Sequence, residues 1–230
     1  MDPHDFSGYL RKHPLFQDIK KDDLRTIAGQ MSPLEVKKGH VFYFQGDQPT
    51  YAYIIRSGLI KLSRITLEGR ELTLHIVQEN DLFGEAAILL GSACDTTAEA
   101  ITPCTLCQIY RNHFLQISES YPPVTQRIAR MVSQRLIRLE EKFQIAISRD
   151  IPSRTACTLL ELAERFGEKS KEGVTINLSL THLELASLIG STRETTCVTL
   201  NNFRRNGWIQ SWKRNIVLRD VAALRSLCET

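Results

Sequence analysis

At 230 residues the chain is too long for one small module and too short for three, since domains usually hold about 100–200 residues. Its 42% hydrophobic and 24% charged residues suffice for a buried core, and with no run of about 18 apolar residues it offers no membrane span. The formal charge of +3 is small, yet residues 179–220 carry Arg193, Arg204, Arg205, Lys213, Arg214 and Arg219 against only Glu184, Glu194 and Asp220, which leaves the remaining chain neutral. A neutral body with a basic C-terminal segment points to nucleic acid.

The N-terminus, Met1-Asp2-Pro3-His4-Asp5-Phe6, has neither the basic nor the apolar region of a secretory signal, so a soluble cytoplasmic protein is expected. In that reducing compartment Cys94, Cys104, Cys107, Cys157, Cys197 and Cys228 are expected as free thiols.

Between residues 39 and 91 lie six of the 12 glycines, separating short runs rich in β-branched and aromatic residues at 41–44, 51–56, 59–65 and 71–77. These predict an antiparallel roll. In the run 59–65, Ile60, Leu62 and Arg64 share one face, while Lys61 and Ser63 point the other way, as in a strand with one buried face. Cys104 and Cys107, three apart on a strand, face opposite sides, which argues against a chelating pair and for core packing.

After Pro122-Pro123 the period changes. Ile128, Val132, Leu136, Leu139, Phe143 and Ala146 recur at steps of three and four, predicting an amphipathic helix over 123–148. Arg127, Arg130, Arg135 and Arg138 fall on its polar faces, and the apolar stripe is assigned to a two-fold dimer seam in preference to the alternative, packing on the chain's own core. Asp150-Ile151-Pro152-Ser153 stops that helix and marks a hinge.

Beyond it the chain reads as a helix over 154–166, a charged loop over 167–173 and a strand over 174–178. Thr181-His182-Leu183-Glu184 is a capping box opening a helix that stops at Gly190. Ser191 or Thr192 then caps a second helix over 193–205. Two short helices joined around one glycine predict a helix-turn-helix, and strands over 208–211 and 215–218 around Trp212-Lys213-Arg214 make it winged. Arg193, Glu194, Thr196 and Cys197 fall in the first turns of the recognition helix. An arginine fork can donate twice to guanine and a glutamate can accept from cytosine, whereas Thr195, Thr199, Asn201, Asn202, Arg204 and Lys213 suit the phosphate backbone, and Thr192 and Arg214 are expected at the same DNA-binding surface.

The order and spacing of Lys38-Gly39, Gln45-Gly46-Asp47, Ser57-Gly58, Gly69-Arg70-Glu71, Asp81-Leu82-Phe83-Gly84-Glu85, Arg154-Thr155-Ala156 and the stretch 188–195 resemble the CRP/FNR family of transcription regulators over nearly the whole chain. The resemblance implies an α+β protein. A cyclic-nucleotide-binding-like β-roll (jelly roll) would occupy residues 1–121, a dimerisation helix 122–149 and a winged helix-turn-helix 150–230, with a palindromic operator and RNA polymerase as partners of a homodimer. The loop 167–173 matches the position of a polymerase-contacting surface in the family's activators, which points to activation.

Departures from the pattern bear on the effector. Gly84-Glu85 is kept, but where cyclic-AMP-responsive members place an arginine on the cyclic phosphate this chain reads Ala93-Cys94-Asp95-Thr96-Thr97, and the Thr-Ser pair offered to the purine is replaced near Leu139-Glu140. Cyclic AMP is therefore disfavoured. A pocket of Leu62, Leu72, Leu74, His75, Gly84, Glu85 and Leu139 is more apolar than a nucleotide needs and is compatible with haem or a small organic effector, and the sequence leaves the effector unassigned. No cysteine precedes Cys94, which argues against an N-terminal iron–sulfur ligand set. Cys94 and Cys197 remain redox candidates, and Val198 replaces a second base-reading arginine of the cyclic-AMP-type relatives. A signalling module acting through protein partners, or a redox- or haem-responsive regulator of the same fold, are the alternatives. An enzyme is not expected, since the chain shows no P-loop, metal-ligand cluster or nucleophile–base constellation.

Overall fold

The structure, a computed structural model, describes residues 6–212 and 215–229. Packing divides the chain into two units: Met1–Ile65 with Leu74–Ile137, and Thr66–Thr73 with Arg138–Thr230.

The first unit opens with helices α1 (Phe6–Leu10) and α2 (Lys21–Gly29), separated by a 3-10 turn at Pro14–Phe16. Strands β1 (Met31–Val36), β2 (Val41–Tyr43), β3 (Tyr51–Ser57), β4 (Ile60–Ile65), β5 (Glu71–Val77, its first three residues counted with the second unit) and β6 (Leu82–Phe83) follow. Helix α3 (Glu85–Leu90), β7 (Thr97–Ala100), β8 (Cys104–Tyr110) and α4 (Arg111–Ser120) complete it, before the long helix α5 (Pro122–Ser148). Two four-stranded sheets, ordered β1-β8-β3-β6 and β2-β7-β4-β5, form the predicted roll.

Strand alternation decides where each core lies. On β3, Tyr53 and Ile55 join Phe83, Leu62, Cys104 and Leu106 in one apolar cluster. Ala52 and Ile54 join Cys107, Ile109 and residues of α1, α2, α4 and α5 in another. Successive residues of one strand thus feed two cores. Cys104 and Cys107 divide between them as their spacing predicts. Strand β4 corrects the one-faced expectation. Lys61 and Ser63 are as buried as Ile60 and Leu62, and the Lys61 ammonium lies 3.1 Å from Glu99, its cross-strand neighbour on β7. Pairing with a carboxylate is what lets a lysine occupy a covered face.

Helix α5 is amphipathic as expected, but its stripe has two destinations. Ile128, assigned to the dimer seam, is 3% exposed and packs with Val124 into the core against α1, α2 and α4. Beyond it Val132, Leu136, Phe143 and Ala146 are exposed, Leu139 is half-buried, and Ile137 and Ile147 add to the exposed apolar surface. Phe143 is 66% and Ile147 70% exposed, far more than a large side chain finds when it packs on its own chain.

In the second unit α6 (Ile151–Phe166) begins at Asp150, whose carboxylate accepts the Ser153 N–H at 2.9 Å. Pro152 sits in its first turn, where the absent N–H costs nothing. The segment expected as a charged loop is a hairpin: β9 (Gly167–Ser170) pairs with β10 (Gly173–Ile176), and Lys171-Glu172 is the turn. Then come α7 (His182–Ile189), α8 (Arg193–Arg205), β11 (Ile209–Trp212), β12 (Asn215–Leu218) and α9 (Val221–Glu229), with the sheet ordered β11-β12-β10-β9. Helix α9 packs on α6.

That packing overturns the expectation of six free thiols. Cys157 on α6 and Cys228 on α9 form a disulfide with Cα atoms 5.2 Å apart, and Cys94, Cys104, Cys107 and Cys197 are the free cysteines. The two partners are 71 residues apart in sequence, and only the α6–α9 packing brings them together.

Candidate nucleic-acid interface and effector region

Local chemistry builds the helix pair. The Thr181 hydroxyl accepts the Glu184 N–H at 3.1 Å, and the Glu184 carboxylate accepts the Thr181 N–H at 2.6 Å, the reciprocal capping box that opens α7. Gly190 ends it at φ 68°, a left-handed conformation that glycine adopts without Cβ strain. Two residues later the Thr192 hydroxyl accepts the Thr195 N–H at 3.2 Å and starts α8.

Helix α8 then sorts its side chains by face. Thr196, Thr199, Leu200 and Phe203 are buried, whereas Arg193, Glu194, Val198, Asn201, Asn202 and Arg205 are exposed, with Cys197 half-buried beside them. The outward stripe presents a cation, a carboxylate, a valine and two amides, groups that can meet base edges and phosphates.

Two expected DNA contacts are corrected by this sorting. Thr196 is fully buried and Thr199 nearly so, its hydroxyl donating to the Thr195 carbonyl at 3.0 Å. Positions 196, 199, 200 and 203 form one helical stripe, and α6, α7 and β11 pack against α8. Thr192 and Thr195 are partly engaged with each other, their hydroxyl oxygens 2.9 Å apart. Lys213 and Arg214, expected on the wing, lie outside the described residues. Arg205 was not among the expected contacts, although its spacing of three and four from Asn202 and Asn201 places it on the same face.

In the roll, Gly84 adopts φ 80°, and a Cβ there would stand 2.7 Å from the Tyr51 carbonyl oxygen. The close approach positions Glu85 at the first residue of α3, 4% exposed. Its carboxylate accepts from Arg135 Nη1 at 2.8 Å, and Arg135 Nη2 donates to the Leu82 carbonyl. Burial pushes the Glu85 carboxyl upward in pKa, and the Arg135 guanidinium opposes that shift. The sequence pattern put Arg135 on the polar side of α5, so this partner was missed. A helical spacing gives a face, not the carboxylate it will meet.

Leu62, Leu74, His75 and Gly84 belong to the first unit with Glu85, Leu62 buried and Leu74 and His75 half-buried. Leu72 and Leu139 belong to the second unit. Asp95, expected to repel an anion, is itself paired: Arg64 Nη2 lies 2.6 Å from its carboxylate, and Arg64 Nε donates to its carbonyl at 2.8 Å. The Cys94 thiol is buried and shifted up in pKa, chiefly by desolvation and then by Asp47 and Asp95, which disfavours a reactive thiolate. Burial likewise pushes the Cys107 thiol up to about 12.

Comparison with known proteins agrees with both halves of the chain. Residues 33–121 match the cyclic nucleotide-binding domain family, and residues 153–227 match the Crp-like helix-turn-helix domain family. The chain is 29% identical over 215 residues to a CRP-like cAMP-activated global transcriptional regulator of Mycobacterium tuberculosis, covering 94% of this chain and 96% of that protein. It is 30% identical over 205 residues to the global nitrogen regulator of Synechococcus elongatus, covering 87% and 92%. The crystal structure of a CRP/FNR-family transcriptional regulator from Thermus thermophilus superposes with a TM-score of 0.73 at 30% identity, covering 86% of this chain and 99% of that one. These relatives are transcriptional regulators rather than enzymes. With both family matches in order along the chain and a CRP/FNR-family structure superposing on 86% of it, the chain belongs to the CRP/FNR family of DNA-binding transcriptional regulators.

Proposed function

We propose that the protein is a homodimeric cytoplasmic regulator that reads a dyad-symmetric DNA site and activates transcription under an effector other than cyclic AMP. The observation that carries the DNA reading is the uninterrupted outward stripe of α8, with Arg193 and Glu194 at its capped N-terminus. In this reading Arg193 donates to guanine and Glu194 accepts from cytosine, Val198 meets a thymine methyl, and Asn201, Asn202 and Arg205 hold phosphates. Dimerisation is supported by the exposed apolar residues of α5, Val132, Leu136, Phe143 and Ile147, which a second copy would cover. Contact with RNA polymerase is assigned to the exposed β9–β10 turn, Lys171-Glu172.

The effector reading rests on charge. Lys61, Arg64 and Arg135 face Glu99, Asp95 and Glu85 at 3.1, 2.6 and 2.8 Å, so these cations of the roll are already matched by carboxylates. A cyclic phosphate drawn to any of these three would have to displace its carboxylate. Of the two relatives, one is described as cAMP-activated and the other as a global nitrogen regulator, which is compatible with an effector other than cyclic AMP. Calorimetry with cyclic AMP is expected to show millimolar or weaker binding, and micromolar binding would contradict the reading. A haem band in the purified protein separates haem from a colourless organic effector.

Sedimentation of the protein with and without duplex DNA tests the dimer. One dimer per duplex is expected, and a monomer bound to one half-site would overturn it.

A further inference from the structure

Helix α7 ends by leaving carbonyls that no helical N–H can reach. The Gly190 and Ser191 N–H groups both turn back to the Ala186 carbonyl as the chain leaves the helix, and with no residue following in helical register the Ile189 and Gly190 carbonyls need another donor. A side chain from a third helix fills that gap. Arg154, in the first turn of α6, donates from Nε to the Ile189 carbonyl at 3.1 Å and from Nη2 to both the Ile189 and the Gly190 carbonyl, the latter at 2.8 Å. A guanidinium suits this place twice over, because it carries its donors in a rigid fork and its charge faces the negative end of the α7 dipole.

The fit is also steric. A Cβ on Gly190 would meet Arg154 Nη2 at 2.8 Å and Leu72 Cδ1 at 3.6 Å, so the turn closes directly over the guanidinium. Its own base is fixed, since Asp150 caps the same turn of α6 through Ser153, and α6 packs against both α7 and α8. Thr192, the cap of α8, follows Gly190 by two residues. The turn held by Arg154 is therefore the segment that sets how α8 leaves α7.

We propose that Arg154 is a positioning residue for DNA recognition: by holding the Ile189 and Gly190 carbonyls it fixes the direction in which α8 presents Arg193 and Glu194. This rests on α8 being the DNA-reading helix. Arg154 touches no base in this account, and its effect is on discrimination between sequences rather than on charge attraction to phosphate.

The test compares wild-type protein with Arg154→Lys and Arg154→Met. Each is titrated onto a duplex selected by the wild type and onto a random duplex of equal length, at several salt concentrations. Thermal unfolding and amide hydrogen exchange at residues 190–192 are followed in parallel. Removing a charge-assisted clamp on two carbonyls is expected to lower affinity for the selected duplex by about ten-fold or more, to leave random-duplex affinity and the salt slope nearly unchanged, and to speed exchange at the turn. Arg154→Lys, which keeps charge but not the fork, is expected to recover only part of the loss. Two results overturn the proposal: a folded Arg154→Met protein with wild-type discrimination, or a parallel loss on both duplexes with a salt slope reduced by about one, which would make Arg154 a phosphate contact. Should Arg154→Met not fold, Arg154→Lys carries the same comparison. If the wild-type protein itself prefers no duplex, the reading of α8 fails and not the clamp.

Discussion

Arg135 of α5 and Glu85 of α3 meet at 2.8 Å inside the first unit, with side chains 15% and 5% exposed. Each compensates the other's desolvation, and the Leu82 carbonyl takes a further guanidinium donor. Arg135→Ala should therefore leave a buried, unpaired carboxylate and cost roughly 3–5 kcal/mol in urea unfolding. The sign of its pH dependence follows from burial. Without Arg135 the Glu85 pKa in the folded state rises further above the unfolded value, so stability is retained below that value and lost as pH rises through the folded one. The deficit of the variant should shrink between pH 7 and pH 4, and a deficit that is flat with pH would contradict the assignment.

His13 supplies a second titration, of opposite sense. Its Nδ1 accepts the Leu15 N–H at 3.1 Å, the ring is 1% exposed, and Nε2 has no hydrogen-bond partner among the described residues. Burial lowers its pKa to about 4, against a smaller opposing contribution from the Asn80 backbone. The folded state prefers the neutral ring, so its contribution is complete above the unfolded value of about 6.5 and is lost as pH falls towards 4. Between pH 7 and 4.5 wild type should lose roughly 2–3 kcal/mol that His13→Asn, which keeps a capping acceptor, does not lose. Equal pH profiles for the two proteins would count against it.

The Cys157–Cys228 bridge predicts a thiol count and a melting shift. Alkylation in denaturant should label four cysteines in the oxidised protein and six after reduction, in keeping with the four free cysteines. Closing a segment of 71 residues is worth about 4 kcal/mol on the chain-entropy estimate, so reduction or Cys157→Ser should lower the melting temperature of the second unit measurably. Six reactive thiols without reductant would restore the reading from composition.

The two faces of α8 give opposite expectations for neighbouring residues. Arg193→Ala should cost about 1–3 kcal/mol on the selected site and relax one base position. Thr196→Val should leave DNA binding unchanged and raise stability by about 1 kcal/mol, because the Thr196 hydroxyl is buried with no hydrogen-bond partner among the described residues. Competition binding and thermal melts of both variants check this, and a DNA-binding loss in Thr196→Val would return that residue to the interface.

What short-range chemistry specifies was legible in the sequence. The capping box at Thr181, the glycine at 190 and the cap at Thr192 each act within a few residues, and α8 has the predicted bounds Arg193–Arg205. The strands of the roll were legible because β-branched runs are punctuated by glycines. What depended on distant partners was not legible. Lys61 reads as an outward residue until Glu99 is placed across from it, and Ile128 has the same helical spacing whether its neighbour is this chain's core or another copy. Helix α3, six residues between Gly84 and Gly91, is too short to show a period. Arg154 could be picked out as part of a motif, but its role needed the carbonyls 35 and 36 residues away.

Dimeric recognition of a two-fold DNA site is tested by selection of duplexes from a random pool by the 230-residue protein, with sedimentation of the recovered complex. A dyad-symmetric sequence is expected, with half-sites about one helical turn apart and bound by one dimer, and the dimer is expected to be lost in Phe143→Glu. An enriched sequence without dyad symmetry, or a dimer that survives Phe143→Glu, would contradict it.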